Sequence, residues 1–310
     1  REVSFMKTAF LFSGQGDQTV GMGKDLYEQS NAAAAIFNEA DSVLGWSISD
    51  ICFNGPAEKL TESKYCQPAI YTTSMACLAA YREKFDGDPD EVVGCAGLSL
   101  GEYAALAAAG YFTFANGLKL VARRAELMDE ACRATQGGMA AIIAGNPDVI
   151  REVCKECDID VANYNCPGQI VISGEKEGVL KACGMLKEKG VKRAIPLNVA
   201  GAFHSRLMAE AGRQLRGPLA DTFVSELEHP VVQNLTGAVE TDLRQIKENL
   251  VGQVAGSVKW EDCVRTLIGL GAEKFVEFGP GAVLTGFVKK IEEYITKKVA
   301  DKLIGMCKTD

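Results

Sequence analysis

Short apolar runs that stop at glycine organise the first part of the chain. Thr8-Ala-Phe-Leu-Phe12 ends at Ser13-Gly14-Gln15-Gly16. It is too short for a helix and bounded by turn residues, so it reads as a buried strand opening into a tight loop. Val92-Val93-Gly94-Cys95-Ala96 reads the same way and ends at Gly97-Leu98-Ser99-Leu100-Gly101. Helical spacing of apolar positions follows each strand. It predicts helices over Asn31–Leu44, over Gln67–Phe85 with Pro68 in the first turn, over Glu102–Ala109, and over Asn116–Cys132, which carries Arg123 and Arg124.

The texture changes after Cys132. Gly138–Ile143 reads as a strand, Pro147–Cys157 as a helix, Asp160–Tyr164 and Gln169–Ser173 as strands, Glu175–Lys189 as a helix and Lys192–Leu197 as a strand. The order β-α-β-β-α-β is that of a split βαβ, or ferredoxin-like, unit. A helix over Ser205–Leu219 and strands near Val231–Asn234 and Lys274–Phe278 return the chain to the first texture. The expected fold is therefore α/β. A large α/β-hydrolase-like domain with a parallel sheet core takes in 6–132 and 200–310, and a small ferredoxin-like domain, 133–199, is inserted in it.

Composition narrows the function classes. The chain has 310 residues, 47% hydrophobic and 24% charged, which suits a protein with a large core. Its formal charge of −8 gives it no global attraction for nucleic acid or an anionic membrane. No apolar run reaches the roughly 18–20 residues of a membrane span, and the opening residues show no signal-peptide core. Met6 reads as the natural start, with Arg1–Phe5 preceding it. The 11 cysteines are odd in number and scattered, as in a protein of the reducing cytoplasm. Cys154 and Cys157 form an isolated C-x-x-C on one helix face, with no second pair to complete a metal site. The chain has 2 histidines, which excludes a histidine-rich metal centre.

Gly97-x-Ser99-x-Gly101 between a strand and a helix is the nucleophile-elbow pattern. The sharp turn lifts a hydroxyl clear of the sheet, the flanking glycines avoid clashes, and the helix start offers free N–H groups to a developing oxyanion. A structural turn whose serine caps the helix would leave the same pattern. A nucleophilic serine needs a base. His229 precedes Pro230 in an extended or turn segment. His204 lies just past the last strand of the small domain, where the chain returns to the large one and a cleft is expected. His204 is thus the expected base. No acid recommends itself as its partner, and a backbone carbonyl can orient an imidazole equally well.

Six ordered motifs then carry a resemblance: Phe12-Ser-Gly-Gln-Gly-Asp-Gln18, Gly97-Leu-Ser-Leu-Gly-Glu-Tyr103, Val121-Ala-Arg-Arg124, Asn163-Tyr-Asn-Cys-Pro-Gly-Gln-Ile170, Ala202-Phe-His-Ser205 and Glu277-Phe-Gly-Pro-Gly281. From Thr8 to Val288 the chain resembles the malonyl-CoA:acyl carrier protein transacylases of type II fatty acid synthesis, and the related acyltransferase domains of polyketide synthases. The resemblance implies Ser99 as the acylated residue and His204 as its base. It implies the backbone N–H groups of Gln15 and Leu100 as the oxyanion hole, and Arg124 as partner of the malonyl carboxylate, a task suited to a planar guanidinium. Asn165 is implied near the site, in a structural or a binding role. Gln253 is implied as the residue whose backbone carbonyl orients the histidine, so that its side-chain identity carries little information. Gly14-Gln-Gly16 is not a dinucleotide loop, since Thr19 stands where a third glycine would be needed.

The chain also departs from the family. Leu98 stands where histidine usually precedes the nucleophile. Ser13 and Asp17 replace the common Pro and Ser, and Val254–Trp260 lacks the usual Asn-Pro. The implied chemistry is ping-pong transfer of malonyl from malonyl-CoA to the phosphopantetheine thiol of acyl carrier protein, with no metal or redox cofactor. Lys187, Lys189, Lys192 and Arg193 are a candidate basic patch for an acidic carrier. An esterase or thioesterase sharing the elbow is the alternative, although no histidine follows His229 as that class would require. A carrier-binding module without catalysis is a third possibility, against which Ser99, His204 and Arg124 together argue.

Overall fold

The computed structural model describes residues 6–306, with side chains described through residue 297. Arg1–Phe5, expected to precede the natural start, lie outside the described residues. The first apolar run forms β1 (Lys7–Phe12), buried at every position but Lys7. Five helices follow: α1 (Lys24–Gln29), α2 (Asn31–Leu44), α3 (Ile48–Asn54), α4 (Ala57–Thr61) and α5 (Ser63–Phe85). Next come β2 (Glu91–Gly97), α6 (Gly101–Ala108) and α7 (Phe114–Ala134). After a second set of strands described below, the chain adds α10 (Ala209–Asp221), the short pair β7 (Val232–Gln233) and β8 (Ala238–Val239), α11 (Leu243–Gln253), α12 (Trp260–Gly269), β9 (Lys274–Phe278) and α13 (Val283–Met306).

Strands β2, β1 and β9 form a parallel sheet in that order, so β1 is central and its apolar run is covered on both sides. Its partners at the last residue, Phe12, are Gly97 and Phe278. All three strands therefore end on one edge, where ligands collect in open parallel sheets. Val231 extends the sheet beside Cys95 through an isolated parallel bridge. Helix α5 is buried at every position from Cys66 to Ala76, which is why it lacks a clean polar stripe. It starts earlier than Pro68 suggested: the Glu62 carbonyl accepts from Tyr65 and Cys66, so Pro68 sits inside the helix. The bond that Pro68 cannot make would have gone to Lys64, an exposed residue.

The second set comprises β3 (Gly137–Ile143), α8 (Pro147–Glu156), β4 (Asp160–Cys166), β5 (Gln169–Glu175), α9 (Lys176–Glu188) and β6 (Arg193–Pro196). Its strands form an antiparallel sheet ordered β4-β5-β3-β6. Strand alternation divides its faces. Ala140, Ile142, Ile170 and Ile172 pack under α8 and α9 with Ile150, Val153 and Leu186. Met139, Ala141, Asn163, Asn165, Gln169 and Val171 face the opposite way and roof a cleft over the ends of the parallel strands. Val258 pins β4 from outside, donating to Ala162 O at 2.8 Å and accepting from Tyr164 N at 2.9 Å. This bridge fixes the Val254–Trp260 segment against β4. Cys154 lies within α8 and Cys157 caps its end, and every cysteine among the described residues is unpaired. No helix among the described residues is long and apolar enough to cross a membrane.

Candidate active site

The turn after β2 is built by close backbone approach. A Cβ on Gly97 would sit 1.9 Å from Gly101 O, and one on Gly101 would sit 2.3 Å from Phe12 O, so neither position admits a side chain. Between them Ser99 adopts φ 54°, a left-handed conformation that L-residues hold only where the surroundings impose it. Asn234 imposes it here. Its side-chain carbonyl accepts from Ser99 N at 2.7 Å and its amide donates to Gly97 O at 2.8 Å. The Ser99 hydroxyl is left half-buried at the cleft floor.

His204 approaches from the loop after β6, also at left-handed φ (55°), and is 4% exposed. Its Nε2 lies 2.8 Å from Ser99 Oγ and its Nδ1 lies 2.8 Å from Gln253 O. A carbonyl can only accept, so Nδ1 carries the proton and Nε2 presents its lone pair to the serine. Burial, reinforced by the positive charge of Arg124, pushes the imidazole down to about 4, which leaves it a neutral base at neutral pH.

Arg124 rises from α7 and is 1% exposed. Its Nη2 donates to Ser99 Oγ at 3.0 Å and Gln253 Oε1 at 3.1 Å, and its Nη1 donates to Gln67 Oε1 at 2.6 Å. Its Nε is buried with no partner. Burial pulls the guanidinium below its usual range, yet arginine starts so high that it stays charged. Glu102, fully buried beneath the serine, is pushed up to about 7 by burial, opposed by the donors around it.

The expected residues thus converge. Ser99, His204, Arg124 and Gln253 are joined by hydrogen bonds. Gln15 and Asn165 line the same cleft, of about 790 Å³, with Leu98, Val199 and Phe203. Leu100 caps the start of α6, and neither it nor Gln15 commits its backbone N–H to another described group. Asn165 is 7% exposed and its Oδ1 has no partner. His229 does not line the cleft, and Lys187, Lys189, Lys192 and Arg193 are exposed outside it. One expectation needs correcting. The Gln253 side chain is as engaged as its carbonyl, donating to Ser99 O at 2.9 Å and Glu102 Oε2 at 3.1 Å. Gln67 and Asn234 were not singled out in the sequence. A buried amide inside a helix and one just after a two-residue strand carry no local signature. Glu102 belongs to the Gly97–Tyr103 motif, whose spacing gives it no chemical role.

Comparison with known proteins gives the family of the chain and the fold it shares with solved structures. The acyl transferase domain family matches residues 9–310. A malonyl CoA-acyl carrier protein transacylase of Bacillus subtilis is 44% identical over 290 residues, covering 92% of this chain and 90% of its own. The solved malonyl CoA-acyl carrier protein transacylase of Coxiella burnetii superposes with a TM-score of 0.91 at 32% identity, covering 94% of this chain and 93% of that one. A malonyl-transacylase solved in complex with a type II polyketide acyl-carrier protein superposes with a TM-score of 0.88 at 36% identity, covering 92% and 93%.

Proposed function

The chain belongs to the acyl transferase domain family, and from that premise we propose that it moves a malonyl group from malonyl-CoA to the phosphopantetheine thiol of acyl carrier protein through a malonyl ester on Ser99. The observation that carries the reading is the double engagement of one hydroxyl: Ser99 Oγ meets a neutral imidazole at 2.8 Å and a guanidinium at 3.0 Å. The first suits proton removal, and the second is a ready partner for an anionic acyl tail.

In the first half-reaction Ser99 Oγ attacks the thioester carbonyl and its proton passes to His204 Nε2. The oxyanion is met by the N–H groups of Gln15 and Leu100 at the start of α6. Collapse breaks the carbon–sulfur bond, and the coenzyme A thiolate leaves with the proton from His204. In the second half the carrier thiol gives its proton to His204 Nε2 and attacks the ester. Ser99 then departs and recovers the proton. The Gln253 carbonyl stabilises the imidazolium in both halves, through the 2.8 Å bond to Nδ1. Arg124 pairs with the malonyl carboxylate throughout. Asn165, which lines the cleft and keeps a buried side-chain oxygen without a partner, supports the bound acyl group. The chemistry uses only the two substrates and needs no cofactor.

We further read 133–199 as an inserted ferredoxin-like domain, since its antiparallel order β4-β5-β3-β6 is that of a split βαβ unit. The remainder, 6–132 with 200–310, reads as the α/β-hydrolase-like domain, on the strength of the strand–serine–helix turn at the end of a parallel sheet. The unpaired cysteines favour a cytoplasmic setting. Intact-mass analysis after mixing with malonyl-CoA tests the mechanism. One malonyl group should appear on the wild type, none on Ser99→Ala, and it should move to carrier protein when that is added. Release as free malonate in the presence of carrier would instead mark a hydrolase.

A further inference from the structure

The proposed transfer gives no task to the carboxylate buried under the nucleophile. Glu102 is the second residue of α6 and is 0% exposed. Its Oε1 accepts from Gln233 Nε2 at 2.9 Å. Its Oε2 accepts from Asn234 N at 2.7 Å and from Gln253 Nε2 at 3.1 Å. Those last two residues hold the reacting pair. Asn234 Oδ1 grips Ser99 N at 2.7 Å, and Gln253 O receives His204 Nδ1 at 2.8 Å. Glu102 follows the elbow directly, Asn234 lies just beyond β7 and Gln253 ends α11, so three distant stretches of chain meet on one side chain. Every partner is a donor, and only an acceptor at both oxygens satisfies them all. A glutamine of the same shape would turn an NH₂ group toward one of them.

We propose that Glu102 is a positioning residue for the acyl transfer. Its carboxylate locks Asn234 and Gln253 in the arrangement that keeps Ser99 raised at the cleft floor and the basic nitrogen of His204 on its hydroxyl. The inference rests on Ser99 and His204 being nucleophile and base. It accounts for a buried carboxyl group that would otherwise only destabilise the fold. Because it acts on alignment rather than on substrate contact, its signature is a loss of kcat without a matching change in KM.

The test uses Glu102→Gln in the full chain, with kcat, KM for malonyl-CoA, melting temperature and the NMR signal of the His204 Nδ1 proton. The chain has 2 histidines, so comparison with His229→Gln assigns that signal. The expected result is a kcat lower by about ten- to a hundredfold, the scale of lost charged hydrogen bonds, with KM within about twofold and the His204 signal displaced or exchanging faster. A folded Glu102→Gln with kcat within about twofold of wild type and an unmoved His204 signal overturns the proposal. Should Glu102→Gln fail to fold, Gln233→Leu decides. It removes one donor from Glu102 and touches neither reacting side chain, and it should lower kcat about three- to tenfold with a displaced signal. An unchanged kcat and signal would refute the idea. Ser99→Ala run in parallel separates the two layers: residual transfer there sinks the nucleophile assignment, whereas a dead Ser99→Ala beside an intact Glu102→Gln sinks only this inference.

Discussion

Replacing Arg124 by methionine removes the guanidinium while roughly keeping the buried volume, so packing loss stays small. Three contacts vanish: Ser99 Oγ at 3.0 Å, Gln67 Oε1 at 2.6 Å and Gln253 Oε1 at 3.1 Å. The Gln253 amide remains tied to Ser99 O and Glu102, so the acceptor for His204 stays in place. What is lost is the partner of a carboxylated acyl group. A hydrogen bond to a charged group contributes about 1.5–3 kcal/mol, which becomes about ten- to a hundredfold in relative rate. The malonyl-to-acetyl preference, measured as the ratio of kcat/KM for Ser99 acylation by rapid quench and mass analysis, should fall by that factor. A second consequence is independent of any substrate. Arg124 is the second cause, after burial, of the depressed His204 titration. The midpoint should therefore climb above about 4 in the variant while burial still holds it below 6.5. A folded Arg124→Met with an unchanged acyl preference would refute the carboxylate assignment, and an unmoved His204 midpoint would refute the electrostatic reading.

Between pH 4 and 6.5 the unfolded chain binds a proton at position 204 that the folded chain refuses, so this group's stability is complete above 6.5 and is lost as pH falls toward 4. Glu102, pushed up to about 7, changes in the opposite sense over this range, so the His204 share is read as a difference. In denaturation from pH 7 to pH 5 the wild type should lose about 2 kcal/mol relative to His204→Gln; equal changes in the two proteins would place the acid sensitivity elsewhere. Gly97→Ala puts a Cβ 1.9 Å from a backbone oxygen, which should cost about 3 kcal/mol or more and abolish acylation. Gly184→Ala, in the interior of α9 with nothing within 4 Å, should instead stabilise by about 0.5–1 kcal/mol in a denaturant titration.

Much of the architecture was written locally. The runs at β1 and β2 are apolar without alternation and stop at glycine, because a strand buried on both faces must be apolar throughout and its turn must tolerate close contact. The elements of β3 through β6 were readable in order, because an amphipathic strand or helix declares its period in a few residues. Boundaries slipped where local signals misled, as when Pro68 suggested a helix start that the Glu62 cap places earlier. Ser99 was legible because a tight turn demands glycines at fixed spacing. His204 was legible mainly because the chain offers 2 histidines.

Tertiary structure alone decided the rest. Gln67, Asn234 and Glu102 are ordinary residues in their own segments, and their meaning arises from partners 57, 135 and 132 positions away. Hydrogen bonds between buried side chains obey distance and angle in space and leave no period along the chain. The same holds for the depressed titration of His204, which burial and a neighbouring charge create only once the fold has closed around them. A sequence can state which residues are chemically able to react; the dielectric, the tautomer and the alignment that make them react belong to the folded chain.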